Sequence, residues 1–291
     1  MRLQGKITLI TGSGSGIGHE TAKLFAAEGA TVIVADRNAE AAEAVAGELR
    51  AAGAEAAAFT VDVSDEAQVQ AMIGFAVEKY GRLDVLVNNA GYGIAGTVAT
   101  TSLADWKALM AVNVDGVFLG CKYAIPVMEK QGGGVIVNTA SGGAIVAIYD
   151  RAAYTASKGA VAALTRAMAV DHADANIRVN CIAPGTIETP YFKEIFAKSP
   201  DAAGLRDLLE KRQVMKRLGR PDEMARGILF LASDESSFCT GSTAHRPTTS
   251  LGPDHGLDNL AFGGERVPTP LEDALLTRLP ELSAFEARGE G

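Results

Sequence analysis

Short runs of apolar, often β-branched residues alternate along this chain with longer Ala-rich runs of helical periodicity. Residues 7–10, 31–35, 57–61, 83–87, 135–138 and 177–182 read as strands. Residues 17–28, 39–52, 65–80, 106–110, 114–130, 154–173, 203–212 and 222–232 read as helices. Gly29 and Gly53 stand where two of these helices should end, and Ser64 where the third should be capped. The strands are apolar throughout instead of alternating, which predicts burial on both faces. Strands and helices in βαβ order predict an α/β fold: a doubly wound parallel sheet of about six to seven strands with helices on both faces.

The pattern breaks near Ser242. Pro247, Pro253, Pro268, Pro270 and Pro280 are half of the 10 prolines, all beyond that point. Residues 1–242 are therefore expected to form one domain, and 243–291 a mainly irregular Pro/Gly-rich tail, with 271–279 able to form a short helix. Pro247 cannot donate to a ladder, so a final strand should be shortened or absent.

Composition narrows the function classes. A net charge of -8 disfavours nucleic acid and anionic membrane as partners. Cys121, Cys181 and Cys239 form no C-x-x-C pair, and the four histidines lack ligand spacing, so neither a disulfide framework nor a metal site is expected. No run of about 18 uninterrupted apolar residues predicts a membrane span. The N-terminus enters a strand directly, without the apolar region of a signal peptide, which predicts a cytoplasmic protein.

The first strand leads into Thr11-Gly12-Ser13-Gly14-Ser15-Gly16-Ile17-Gly18 and then a helix. Glycines here let the backbone turn tightly and approach a pyrophosphate, and the helix N-terminus offers free N–H groups. Gly12, Ser15, Gly16, Ile17 and Gly18 are thus candidate dinucleotide-binding positions. Asp36 ends the second strand at the distance suited to the adenosine ribose hydroxyls. Its carboxylate would repel a 2′-phosphate and favours NAD over NADP, although the neighbouring Arg37 could accept such a phosphate. Read alone, Asp36 could also be a plain turn residue.

Tyr154-Thr155-Ala156-Ser157-Lys158 places a phenol and an amine four residues apart, on one face of a helix. A nearby ammonium should lower the phenol pKa and make Tyr154 a usable general acid/base. Ser141, ending the fifth strand, could hydrogen-bond a substrate oxygen. Singly, each of these residues could equally be a packing, capping or surface residue. Together with Asp62-Val63, Asn88-Asn89-Ala90-Gly91, Asn113 and Pro184-Gly185, they make the chain from about Lys6 to Ser242 resemble the short-chain dehydrogenases/reductases.

The resemblance implies a Rossmann-type fold and an NAD-dependent oxidoreductase acting between a secondary alcohol and a ketone. It implies catalytic roles for Asn113 (holding a relay water), Ser141, Tyr154 and Lys158, the last also binding the nicotinamide ribose. It implies that Asp62 and Val63 contact the adenine, that Asn89, Ala90 and Gly91 border the cofactor, and that Pro184, Gly185, Ile187 and Thr189 border the nicotinamide. Glu188, within that stretch, is expected to face solvent. Substrate contacts should come from loops 92–97, 142–153 and 191–212. Similarity to hydroxy-acid dehydrogenases implies that Arg151 and Arg212 bind a substrate carboxylate, giving a small hydroxy acid or polyol as substrate. Relatives use the last strand and the helix before it in a tetramer interface, which implies a homo-oligomer, dimer or tetramer, altered by the unusual tail. Two other functions fit: a 3-oxoacyl carrier-protein reductase, and an NAD-binding protein without turnover.

Overall fold

A computed structural model of the chain describes residues 1–245. The remaining tail, including the possible helix at 271–279, lies outside the described residues. Seven strands are present among the described residues: β1 (Ile7–Thr11), β2 (Thr31–Asp36), β3 (Ala56–Thr60), β4 (Val85–Asn88), β5 (Gly134–Thr139), β6 (Ile177–Ala183) and β7 (Thr243–His245). They form one sheet in the order β3-β2-β1-β4-β5-β6-β7, and every pairing is parallel. The fold is the doubly wound α/β architecture expected from the strand pattern.

Nine α-helices are described: α1 (Gly16–Ala27), α2 (Ala39–Ala51), α3 (Glu66–Tyr80), α4 (Leu103–Met110), α5 (Gly116–Lys130), α6 (Ala152–Asp171), α7 (Pro190–Lys198), α8 (Ala202–Lys211) and α9 (Pro221–Ala232). The sheet has a core on each face. Successive residues of a strand point oppositely, so Leu9 joins the core under α3, α5 and α6, while Ile10 joins the core under α1, α2 and α9. Ile33 and Val34 divide in the same way on β2.

Gly29 and Gly53 take positive φ just after α1 and α2, ending them as expected. The cap of α3 is Asp65, which accepts from the Gln68 amide, and not Ser64; the Ser64 hydroxyl instead donates to Asp62. The two helices expected at 106–110 and 114–130 are one continuous helix, because a π-helical turn over Ala111–Asp115 joins α4 to α5. By length and composition this Leu103–Lys130 helix could cross a membrane, but half of its most apolar window is buried within the protein. α7 was not legible as a helix. Its signal is local: Thr189 at the N-cap and Pro190 in the first turn, where a missing N–H costs nothing.

The sheet runs past Ser242, the expected domain boundary, for three residues. Within the described residues β7 pairs with the end of β6 through Cys181, Ile182 and Ala183.

Candidate active site

The order of the sheet reverses between β1 and β4. β1 leads to β2 and β3 on one side, whereas β4 starts on the other. At such a point the two loops leaving the strands diverge and open a crevice at their carboxyl ends. A cavity of about 530 Å³ occupies it.

The glycine turn forms one wall. Gly12 and Gly16 take φ of +62° and +56°. A Cβ on Gly18 would fall 2.2 Å from the Gly12 carbonyl oxygen, so Gly18 supports the turn from behind and does not line the cavity. Gly12, Ser15, Gly16 and Ile17 do line it. Ser15 is the N-cap of α1 but makes no side-chain cap, and the first turn carries no acid. The positive end of the helix is thus left open for an anion. Asp36 lies at the far end, its carboxylate accepting from the amides of Gly14 (2.9 Å) and Asn38 (3.0 Å). These bonds fix the orientation of the carboxylate. Arg37 and Asp62 are exposed at the rim of the same wall, with Val63 buried beneath.

The β4 exit holds the turn in shape. Asn89 donates to the carbonyls of Thr11 and Gly12, and the Thr11 hydroxyl accepts from the amides of Asn89 and Ala90. Asn88 turns inward instead. It donates to Asn138 (2.9 Å), whose amide donates to the Thr165 hydroxyl, a fully satisfied polar chain across β4, β5 and α6. Asn113 sits in the π-helical turn, fully buried. Its amide bonds both the N–H and the carbonyl of Tyr92 and donates to Ser157. Asn113 therefore stands one layer behind the cavity, where its side chain holds the β4–α4 loop against α6.

Ser141, Tyr154 and Lys158 converge on the cavity. Ser141 follows β5, with its hydroxyl accepting from the Gly143 amide (3.1 Å). Lys158 donates to the Thr139 carbonyl (2.8 Å) and lies 5.9 Å from the centre of the Tyr154 ring. Burial pushes the Lys158 amine down to about 8. The Tyr154 phenol is raised, because burial outweighs the hydrogen bond to Ser141 and the charge of Arg151. The expectation that a nearby ammonium lowers the phenol pKa is therefore corrected: burial raises it. In this apolar enclosure both groups resist charging, and a further favourable charge is needed to ionise Tyr154.

The residues fit a nicotinamide dinucleotide. The open helix end faces where a diphosphate would sit, and the Cβ-free Gly12 and Gly16 leave room beside it. The Thr139 hydroxyl, buried on the cavity wall, has no partner among the described residues. Asn89, Ala90 and Gly91 line the middle of the crevice, and Pro184, Gly185, Ile187 and Thr189 line its other side. Among the described residues, no cluster of His, Cys, Asp and Glu could hold a metal ion.

A family model described as enoyl-(acyl carrier protein) reductase matches residues 12–246. The chain belongs to the short-chain dehydrogenase/reductase family. It is 42% identical over 244 residues to the 3-oxoacyl-[acyl-carrier-protein] reductase of Thermotoga maritima, covering 83% of this chain and 96% of that one. It is 41% identical over 242 residues to the meso-2,3-butanediol dehydrogenase of Serratia marcescens, covering 83% and 93%. A solved 7α-hydroxysteroid dehydrogenase, in complex with NADH and 7-oxo glycochenodeoxycholic acid, matches with a TM-score of 0.79 at 38% identity, covering 84% of this chain and 94% of that one.

The substrate side of the cavity in this short-chain dehydrogenase/reductase lies opposite the glycine turn. Tyr92, Ile148, Tyr191, Phe192 and Leu209 give it an apolar lining that the sequence placed only as loops. Arg151 and Arg212 both line it, and neither guanidinium makes an ion pair or hydrogen bond among the described residues. Arg212 is pushed down by burial and by the positive charge of Arg151, and neither guanidinium has a counter-ion among the described residues. The buried Gln213 anchors the segment beside Arg212, donating to the Thr186 hydroxyl and the Leu209 carbonyl. Glu188 does not simply face solvent as expected. It accepts from Arg206 on α8 (2.8 Å), which ties the β6 exit loop to the α7–α8 lobe.

Proposed function

We propose that this chain is an NAD-dependent dehydrogenase of small hydroxy acids or polyols, catalysing the reversible conversion of a secondary alcohol to a ketone. The convergence of Ser141, Tyr154 and Lys158 beside the glycine turn, around one cavity, carries the reading. A nicotinamide bound there supplies the hydride acceptor in one direction and the hydride donor in the other.

The chain's own residues orient the substrate and manage its proton. The Ser141 hydroxyl donates to the substrate oxygen and stabilises the charge it develops. Tyr154 accepts the carbinol proton at its Oη during oxidation and returns it during reduction. Lys158 holds its charge close to the phenol and binds the nicotinamide ribose. Asn113 holds a relay water behind it, and the Tyr154 ring walls the site. Asp36 accepts from the adenosine ribose hydroxyls, while Asp62 and Val63 border the adenine. The two uncompensated guanidiniums support binding of a substrate carboxylate by Arg151 and Arg212. A homo-oligomer in the cytoplasm belongs to the same reading; Phe230 on α9 and Phe238 just beyond it, both exposed, support association.

The reading is tested by following NADH formation with a panel of hydroxy acids, polyols and secondary alcohols, using NAD and NADP in parallel. Turnover with NAD should fall by about 10³-fold or more in Tyr154→Phe, with NADH affinity retained. Retained turnover in that variant refutes the role of Tyr154. Arg151→Ala and Arg212→Ala should each raise KM for hydroxy acids, and unchanged KM values refute the clamp. A second reading is a 3-oxoacyl carrier-protein reductase, favoured by the identity to the Thermotoga maritima enzyme and by Arg37 at the adenosine end of the cavity. NADP preference together with reduction of a 3-oxoacyl thioester would select it.

A further inference from the structure

Arg151 occupies a position that stability alone does not favour. It is the N-cap of α6, yet its side chain makes no cap. A guanidinium there also faces the positive end of the helix. Ser, Thr, Asp or Asn in this place would satisfy a free amide, and Arg151 leaves it open. The residue before it, Asp150, is one of three non-glycine residues among those described with positive φ, here +52°. The Asp150 carboxylate makes no ion pair with Arg151, so the acid is not its counter-ion.

The backbone around Asp150 is pinned on both sides. The Gly96 amide donates to the Asp150 carbonyl (2.8 Å), and the Ala152 amide donates to the Gly96 carbonyl (3.1 Å). These bonds make an isolated parallel bridge between Gly96 and Arg151, which joins the β4–α4 loop to the loop entering α6. Gly96 itself has φ +147°, and a Cβ there would fall 2.6 Å from the Thr101 hydroxyl. The chain must therefore meet the bridge and begin α6 within two residues, and the left-handed residue makes that reversal. With an ordinary negative φ at 150, the residue after it would leave the bridge on a different course and turn its side chain away from the cavity.

We propose that Asp150 is a positioning residue whose left-handed backbone, locked by the Gly96 bridge, aims Arg151 into the cavity and so sets the preference for an anionic substrate. The inference rests on the carboxylate-binding reading of Arg151 and Arg212 given above. Asp and Asn adopt this conformation more readily than other side chains, and Gly does so freely; a β-branched residue resists it. The residue type at 150 thereby controls the geometry without touching the substrate.

The test measures binding of 3-hydroxybutyrate and of its methyl ester, calorimetrically, to the full-length protein saturated with NADH. The two probes share a carbon skeleton and differ in charge. Asp150→Asn and Asp150→Gly should keep the affinity for 3-hydroxybutyrate within about threefold, whereas Asp150→Val should weaken it about tenfold. The ester and NADH should bind all three variants as they bind the unaltered protein. Should Asp150→Val fail to fold, Asp150→Ala replaces it, with the same direction expected. Equal loss for acid and ester overturns the proposal in favour of a general structural role. Equal loss in the Asn, Gly and Val variants overturns it in favour of a role for the carboxylate, and no loss in the Val variant overturns it outright. Arg151→Ala separates this failure from that of the parent reading. If that variant loses the acid selectively while Asp150→Val does not, only the positioning idea fails. If Arg151→Ala binds both probes normally, or the unaltered protein does not bind 3-hydroxybutyrate, the clamp fails with it.

Discussion

At the scale of single residues, the site is built from groups that are costly to hold. Lys158 is buried, and its amine titrates near 8 in place of the ordinary 10.5. Between those values the folded chain binds fewer protons than the unfolded chain, so stability rises with pH across that window. Below about pH 8 the full penalty of the buried ammonium is present. Lys158→Met should therefore stabilise the protein at pH 7 by up to about 3 kcal/mol, less roughly 1 kcal/mol for the unpaired Thr139 carbonyl. That gain should shrink as pH rises towards 10.5. Urea unfolding of both proteins at neutral and alkaline pH checks it, and a difference that stays flat with pH refutes it. The identities of Ser141, Tyr154 and Lys158 were legible in the sequence because their spacing is local. The direction of the Tyr154 shift was not, because it depends on how much of the ring is enclosed. Glu188 was misplaced for a similar reason: its partner Arg206 is 18 residues away, on a helix whose packing the sequence does not state.

At the scale of elements, close approach decides what each residue may be. Gly18 lies one turn into α1, where a side chain would meet the Gly12 carbonyl at 2.2 Å. Gly18→Ala should push α1 away from the glycine turn, lowering stability by about 1–3 kcal/mol. It should weaken NADH binding as well, and fluorescence titration checks this; tight binding with unchanged stability refutes the packing role. α9 depends on charge at its start. Glu223 bonds Arg217 through both oxygens and accepts from the Arg220 amide, which holds its carboxyl down to about 2. The folded value lies below the unfolded 4.5, so this stability is present above 4.5 and lost as pH falls towards 2. Glu223→Gln should cost about 1–2 kcal/mol at neutral pH after solvent screening. The cost should disappear in acid, and thermal unfolding against pH reads it directly. Helix and strand existence followed from periodicity, but α7 and the joined α4–α5 helix did not. α7 buries no residue fully, so its pattern has little to mark it. The π-helical turn carries Asn113, which is bonded to Tyr92 and Ser157, contacts that periodicity cannot express.

At the scale of the whole molecule, the cavity depends on the sheet order and not on its last strand. No residue of β7 lines it. A chain ending at Ser242 should lose the β6–β7 pairing and the bond between Cys181 and Thr243, and unfold at a lower temperature, yet still bind NADH. Loss of NADH binding in that chain refutes the separation. The sequence by itself determined the class of fold, the glycine turn, the acid at the end of β2 and the Tyr-Lys pair. Each of these is written in spacings of a few residues, where backbone geometry links position to direction. Tertiary structure alone decided that Gly18 and Asn113 stand behind the cavity and that Asn88 points into the core. It alone decided that Arg151 and Arg212, 61 positions apart in the chain, line one cavity with no counter-ion among the described residues. Those outcomes are set by which strands lie side by side and by what burial does to charge. Both are sums over distant contacts, and no local spacing records them.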